Sequence, residues 1–280
     1  MKTRQRRANY SSQKYTIKAA KDKMEKENLI IGRNTVKEAI KSGRDIDFIM
    51  VQSGSDDRSI KDISAMAKKN GIAIKQVPKT KLDEISMPYG YGGKPANHQG
   101  IAAQIPSAKY SDIEDAFNLA SQRNEPIFLI ALDGISDPHN FGAIIRSAEA
   151  LGAHGVITLK RKSASLTAAA CKTACGAEEF IPVIKVNNLS QTIDQLKQRG
   201  VWVACADMDG DDATFTDLKG PLMIVIGAEG EGVSRLVKEK SDFVIKIGLK
   251  GNIQSLNASA AAAILMYERE RQLLAAQNKK

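Results

Sequence analysis

Residues 133–152, DGISDPHNFGAIIRSAEALG, follow the apolar run IFLIAL and lead a strand into a helix, the repeating unit of an α/β fold. Ser136 or Asp137 can cap that helix, and Pro138 suits its first turn because its fixed φ is already helical and no N–H is left unpaired there. Phe141, Ile144, Ile145, Ala148 and Leu151 recur at helical spacing as one buried stripe, which Gly152 ends. Asn140 and Arg146 lie off the stripe, and packing does not require them. Arg146 can pair with Glu149 on the surface and Asn140 can act as a further cap, or both can face a ligand.

Beyond this helix, strands at GVITL, IPVIKV, VWVACA, LMIVIGAEG and DFVIKIGL alternate with helices near LTAAACKTAC, LSQTIDQLKQRG and VSRLVKEK. A last long helix runs from about Asn257 to Leu274. Apolar strands separated by helices predict a mostly parallel sheet covered on both faces. Toward the N-terminus, LIIGRNTVKEAIKSG reads as a strand, a turn at Gly32 and a helix with Val36, Ala39 and Ile40 inward. IDFIMVQ and IAIKQVP are strands on either side of the helix SIKDISAMAKKNG, so a second, smaller α/β unit is expected. MPYGYGGKPANHQGIAAQ sustains neither periodicity and reads as a surface loop entering a strand at 101–105. SDIEDAFNLA opens with Ser111 and Glu114 at capping-box spacing. The expected organisation is a flexible basic arm (1–28), an N-terminal domain (29–105), a linker with a connecting helix (106–124) and a larger domain (125–280).

Composition narrows the function classes. Apolar residues make up 42% and charged residues 26% of the 280, ordinary for a globular protein, and no apolar run approaches the ~18 residues of a membrane span. The basic start MKTRQRRANY lacks the apolar core of a secretory signal, and a cytoplasmic location is expected. Cys171, Cys175 and Cys205, with His98, His139 and His154 scattered, support neither a disulfide framework nor a metal site; Cys171 and Cys175 read as helix core. Charge is uneven. Residues 1–28 hold nine Lys/Arg against three acids, net +6, while the other 252 residues hold 32 against 29, net +3. A basic arm on a nearly balanced body fits a polyanion partner or a solvated tail.

Ligands of open parallel sheets gather beyond the carboxyl ends of the strands, and two more loops there stand out. In VIGAEGEGVSRLV, Gly227, Gly230 and Gly232 permit a sharp turn without matching a dinucleotide or P-loop fingerprint, and Glu229 and Glu231 disfavour a phosphate cradle. In IGLKGNIQSLNASAAAAILMYE, Ser255 and Asn257 precede a helix of small residues, as caps, as ligand contacts or as both.

Together these three loops resemble, in order and spacing, the three motifs of the SpoU (TrmH-type) ribose 2′-O-methyltransferases, and IIGRNTVKEAI and NHQGIAA resemble that family's N-terminal substrate-binding domain. With KTACGAEEFIPV, the chain most resembles the RlmB branch, which methylates a guanosine 2′-hydroxyl in the peptidyl-transferase region of large-subunit rRNA. The resemblance implies a C-terminal SPOUT-type α/β domain with a deep trefoil knot, S-adenosyl-L-methionine as donor, RNA as substrate and a homodimer. It implies catalytic roles for Asn140, Arg146, Glu229, Ser255 and Asn257, and cofactor contacts at Gly227, Ile247, Leu249 and Leu256. The family commonly has Ile-Pro-Met where this chain has Ile247-Gly248-Leu249, a change that a backbone contact would survive. A tRNA ribose methyltransferase and a non-catalytic RNA-binding factor of the same fold are the alternatives. Because a guanidinium offers only donors, Arg146 is expected to grip phosphate and stabilise a developing alkoxide rather than take a proton. Tyr89, Tyr91 and Lys94 in the glycine-rich loop can meet RNA, or the loop can pack on its own domain.

Overall fold

Phe128, Ile130 and Leu132 point to one side of the first strand of the larger unit and Leu129 and Ala131 to the other, and all five are buried. Such a strand must be covered twice, and in the computed structural model, which describes residues 28–252 and 255–277, it is. The strands β5 (Phe128–Asp133), β6 (Gly155–Leu159), β7 (Val183–Val186), β8 (Trp202–Asp212), β9 (Leu222–Gly227) and β10 (Phe243–Lys246) form a parallel sheet in the order β10-β8-β9-β5-β6-β7. One face carries the helices α5 (Pro138–Ala150), α6 (Ala168–Ala174) and α9 (Ala258–Gln277). The other carries α4 (Ile113–Arg123), α7 (Leu189–Gln198) and α8 (Arg235–Lys240).

The smaller unit pairs β1 (Leu29–Ile31), β4 (Ile101–Gln104), β2 (Phe48–Gln52) and β3 (Ala73–Val77) in the order β1-β4-β2-β3, with only β2 and β3 parallel. Ile49, Val51, Ile101 and Ala103 pack under α1 (Arg33–Lys41) and α2 (Arg58–Lys69), while Met50 and Ala102 meet Leu82 of α3 (Lys79–Ser86). The sequence reading passes over α3, whose eight residues bury only Leu82 and Ser86.

The two units divide between Ser107 and Ala108, so α4, expected in a connecting segment, belongs to the larger unit, where Ala116 and Ala120 join its core. Its cap lies one residue later than the Ser111/Glu114 spacing suggests. Asp112 is the N-cap and its N–H donates to Asp115 Oδ2 at 2.9 Å, which leaves Glu114 to take both guanidinium nitrogens of Arg199 at 2.6 and 3.1 Å. The basic arm, Asn28 apart, lies outside the described residues. Among the described residues no helix is long and apolar enough to cross a membrane.

Candidate active site

The order of the sheet fixes where a site can form. The chain runs outward from β5 through β6 to β7, crosses to β8, and returns with β9 beside β5, so β5 and β9 flank the reversal, and Asp133 and Gly227 at their carboxyl ends are directly paired. Asp133 Oδ2 accepts the Ser234 N–H at 2.8 Å, holding the loop after β9 against the end of β5. That loop folds back on itself. Ala228 and Gly232 exchange backbone hydrogen bonds at 3.2 and 2.9 Å, Gly230 and Gly232 are left-handed at φ +86° and +70°, and a Cβ on Gly227 would lie 2.1 Å from the Gly232 carbonyl carbon. Glu229 stands at the tip.

Glu229 is where the three loops meet. Its Oε1 accepts Asn140 Nδ2 at 3.0 Å, Asn257 Nδ2 at 2.6 Å and the Ala258 N–H at 3.2 Å, and Asn257 Nδ2 also donates to Asn140 Oδ1 at 2.9 Å. Each amide is itself anchored by a helix start. Asp137 caps α5 by accepting the His139 and Asn140 N–H groups, and Asn257 Oδ1 caps α9 by accepting from Ser259 N–H and hydroxyl and from Ala260 N–H. Asn257 therefore acts as both cap and cluster member. Among the described residues Glu229 Oε2 takes no hydrogen bond, which leaves a carboxylate oxygen free to receive a hydroxyl.

Arg146 does not join this cluster. It lies six residues along α5 from Asn140, exposed, and Nη1 donates to Cys175 Sγ at 3.3 Å. Cys175 corrects the sequence reading, which places it in a helix core. It is the exposed C-cap of α6, left-handed at φ +56°, whereas Cys171 packs against the main core, where burial first and Glu178 second push its thiol up to about 12. Ser255 is exposed two residues before Asn257. Ile247 is half-buried against the core, and Leu249 and Leu256 are 40% and 37% exposed. A Cβ at Gly248 would sit 2.8 Å from Asp212 Oδ2, so a glycine in place of the family's proline gives room to that carboxylate. Reasoning from sequence misses Asp133, whose role depends on a residue 101 positions away, and Cys175. No group of three or more His, Cys, Asp or Glu residues among those described is arranged to hold a metal.

The sequence model of the SpoU rRNA Methylase family matches residues 127–267, and that for RNA 2′-O ribose methyltransferase substrate binding matches residues 29–111. A Bacillus subtilis protein assigned to the TrmH family of tRNA/rRNA methyltransferases, YacO, is 41% identical over 240 residues, 85% of this chain and 93% of its own. A Staphylococcus haemolyticus protein of the same assignment is 44% identical over 243 residues, 86% and 94% of the two chains. Among solved structures, the SpoU methyltransferase AviRb of Streptomyces viridochromogenes with AdoMet shares the fold at a TM-score of 0.54 and 22% identity, over 88% of this chain and 90% of that one. An AdoMet-bound rRNA methyltransferase of Sinorhizobium meliloti does so at 0.53 and 21%, over 88% and 87%.

Proposed function

The chain belongs to the SpoU rRNA methylase family, and from that premise we propose that it transfers the methyl group of S-adenosyl-L-methionine to a ribose 2′-hydroxyl of RNA, a guanosine of large-subunit rRNA in the peptidyl-transferase region. The observation that carries this reading is the hydrogen-bonded cluster of Asn140, Glu229 and Asn257 beyond the paired ends of β5 and β9. A binding factor that had lost the reaction would have no need to hold a carboxylate by three donors with one oxygen left over.

The residues fit the donor. The carboxylates of Glu229 and Glu231 suit a sulfonium, and Leu249 and Leu256, both exposed, would offer apolar surface to an adenosyl group, with backbone contacts at Gly227 and Ile247. When bound, the cofactor supplies an electrophilic methyl group for an in-line displacement. The protein aligns the acceptor, and as the C–O bond forms and the C–S bond breaks, the hydroxyl's proton leaves along its hydrogen bond to Glu229. Glu229 Oε2 accepts the ribose hydroxyl's hydrogen bond, and Asn140 and Asn257 fix the carboxylate's rotamer. Arg146 grips the adjacent phosphate and stabilises the alkoxide as it forms, in keeping with a group that has only donors to give. Ser255 completes the pocket wall.

The proposal includes a homodimer and the family's C-terminal trefoil knot. Apart from Ser259, the first half of α9, residues 258–267, carries only small and apolar or aromatic side chains, yet Ile264 and Tyr267 are 43% and 61% exposed, and an apolar helix surface of this kind is normally covered. A second protomer on this face would bring its own residues toward the open cluster and exclude water.

The test is to incubate the protein and methyl-labelled S-adenosyl-L-methionine with undermodified rRNA and with undermodified tRNA, then locate the ribose that resists alkaline cleavage. Label on one ribose of large-subunit rRNA is the expected result. Label on tRNA alone would move the substrate, and label on a base would refute the reaction.

A further inference from the structure

The glycine-rich loop of the smaller unit is closed and specific. Its stems are tied twice: the Ala96 N–H donates to the Ser86 carbonyl at 3.1 Å, and buried His98 meets Asp83 through Nε2 at 3.0 Å while its Nδ1 accepts the Gly100 N–H at 2.9 Å. At the tip, the Lys94 N–H returns to the Tyr91 carbonyl at 3.3 Å, across Gly92 and Gly93 at φ +63° and +72°. Positive φ at both central residues is the mark of a type I′ turn, which side chains other than glycine and asparagine resist. A Cβ at Gly90 would lie 1.7 Å from the Lys94 carbonyl oxygen, so the return of the chain also depends on a glycine there.

What this construction presents is a ring in water. Tyr91 is 96% exposed, so its ring does not pack on its own domain, whereas Tyr89 is half-buried, and Lys94 across the turn is exposed and in no ion pair among the described residues. A tightly tied loop with an unburied aromatic at its tip gains nothing in packing from that residue. An aromatic face next to an ammonium suits an unpaired base and its phosphate, since every base has a π-face and stacking needs no particular sequence. Residues 85–100 contain no Asp or Glu, which favours a polyanion over a protein partner.

We propose that Tyr91 and Lys94 form a stacking site for one unpaired base of the substrate RNA, ring against base and ammonium on the neighbouring phosphate. This rests on the reading of the chain as an RNA methyltransferase. The test uses the full-length protein, a fluorescein-labelled single-stranded 20-nucleotide RNA of mixed sequence and its blunt duplex, with anisotropy read at several salt concentrations. Tyr91→Ala should weaken single-strand binding by about 5- to 150-fold, the range of one base–aromatic stack, and duplex binding much less. Tyr91→Phe should bind as wild type does, and Lys94→Ala should flatten the salt dependence by roughly 0.7 of a logarithmic unit per unit. Single-strand affinity unchanged in Tyr91→Ala, or equal losses in Tyr91→Ala and Tyr91→Phe, would overturn the site; the unchanged result would assign this surface to a protein contact. Failure of the wild type to bind the single strand would overturn it as well. Methyl transfer measured in parallel separates the two readings: transfer intact with binding indifferent to Tyr91 sinks the stacking site alone, and Tyr91-dependent binding without transfer sinks the methyltransferase reading alone.

Discussion

Glu229 Oε1 is a fully occupied acceptor and Oε2 an open one, and this asymmetry within one carboxylate is what the proposed chemistry uses. Arg146 stands apart, its Nη1 held by a thiol while the rest of the guanidinium is left to a phosphate. Arg146→Ala should therefore leave affinity for S-adenosyl-L-methionine within a few-fold by calorimetry while methyl transfer falls by about 100-fold or more, the usual cost of losing one charge-stabilising donor. Full activity in that variant would remove Arg146 from the mechanism. Cys175→Ala deletes the guanidinium's resting partner, and kcat should fall about 2- to 10-fold with KM nearly unchanged, the scale of one modest hydrogen bond. A change confined to KM would show that Cys175 serves RNA binding and not the arginine.

Among the elements, α5 is tightly constrained, because a Cβ on Gly142 would come within 2.2 Å of the Ala170 carbonyl oxygen of α6. Alanine normally improves a helix by up to about 1 kcal/mol, but a backbone carbonyl cannot step aside as a side chain can. Overpacking should win, and Gly142→Ala should lower unfolding stability by roughly 1–2 kcal/mol in urea titrations. The caps and apolar stripe of α5 were legible in residues 136–152, and so were β5, β6 and β9, because apolar period and turn chemistry are local. The full length of β8 was not. Its last residues, DMDGDD, carry no strand signal, and they extend only because β10 pairs with them across a bulge at which the partner jumps from Cys205 to Asp211. Gly210 makes that pairing possible, since a Cβ there would lie 2.5 Å from the Val244 backbone. The cluster was legible only through the family resemblance. Nothing local in Asn140 announces a partner 117 residues away, and nothing in KTACG says that the second cysteine would cap a helix in the open.

Over the whole larger unit, the end of the sheet opposite the cluster is sealed by buried polar groups. His154 Nδ1 accepts the Phe128 N–H at 3.0 Å and Nε2 meets Glu125 at 3.1 Å, while the Arg269 guanidinium of α9 lies 4.2 Å over the Phe128 ring. Burial holds the His154 pKa below its ordinary 6.5, outweighing the pull of Glu125, so the folded protein keeps the ring neutral where the unfolded chain would protonate it. Stability should be level above about pH 6.5 and decline as pH falls below it, in the window before carboxylates begin to protonate. Urea midpoints that rise between pH 6.5 and 5 would show the ring to be charged in the fold.

Also at this scale, loops 89 and 117 residues apart in sequence meet around a single carboxylate. The most direct measurement is a double-mutant cycle of Asn140→Ala and Asn257→Ala on the single-turnover rate of methyl transfer to rRNA. Each substitution alone should slow transfer by about tenfold or more, and the pair together little more than the worse of the two, a coupling of at least about 1 kcal/mol. Effects that multiply independently, or a double variant as fast as the wild type, would contradict it.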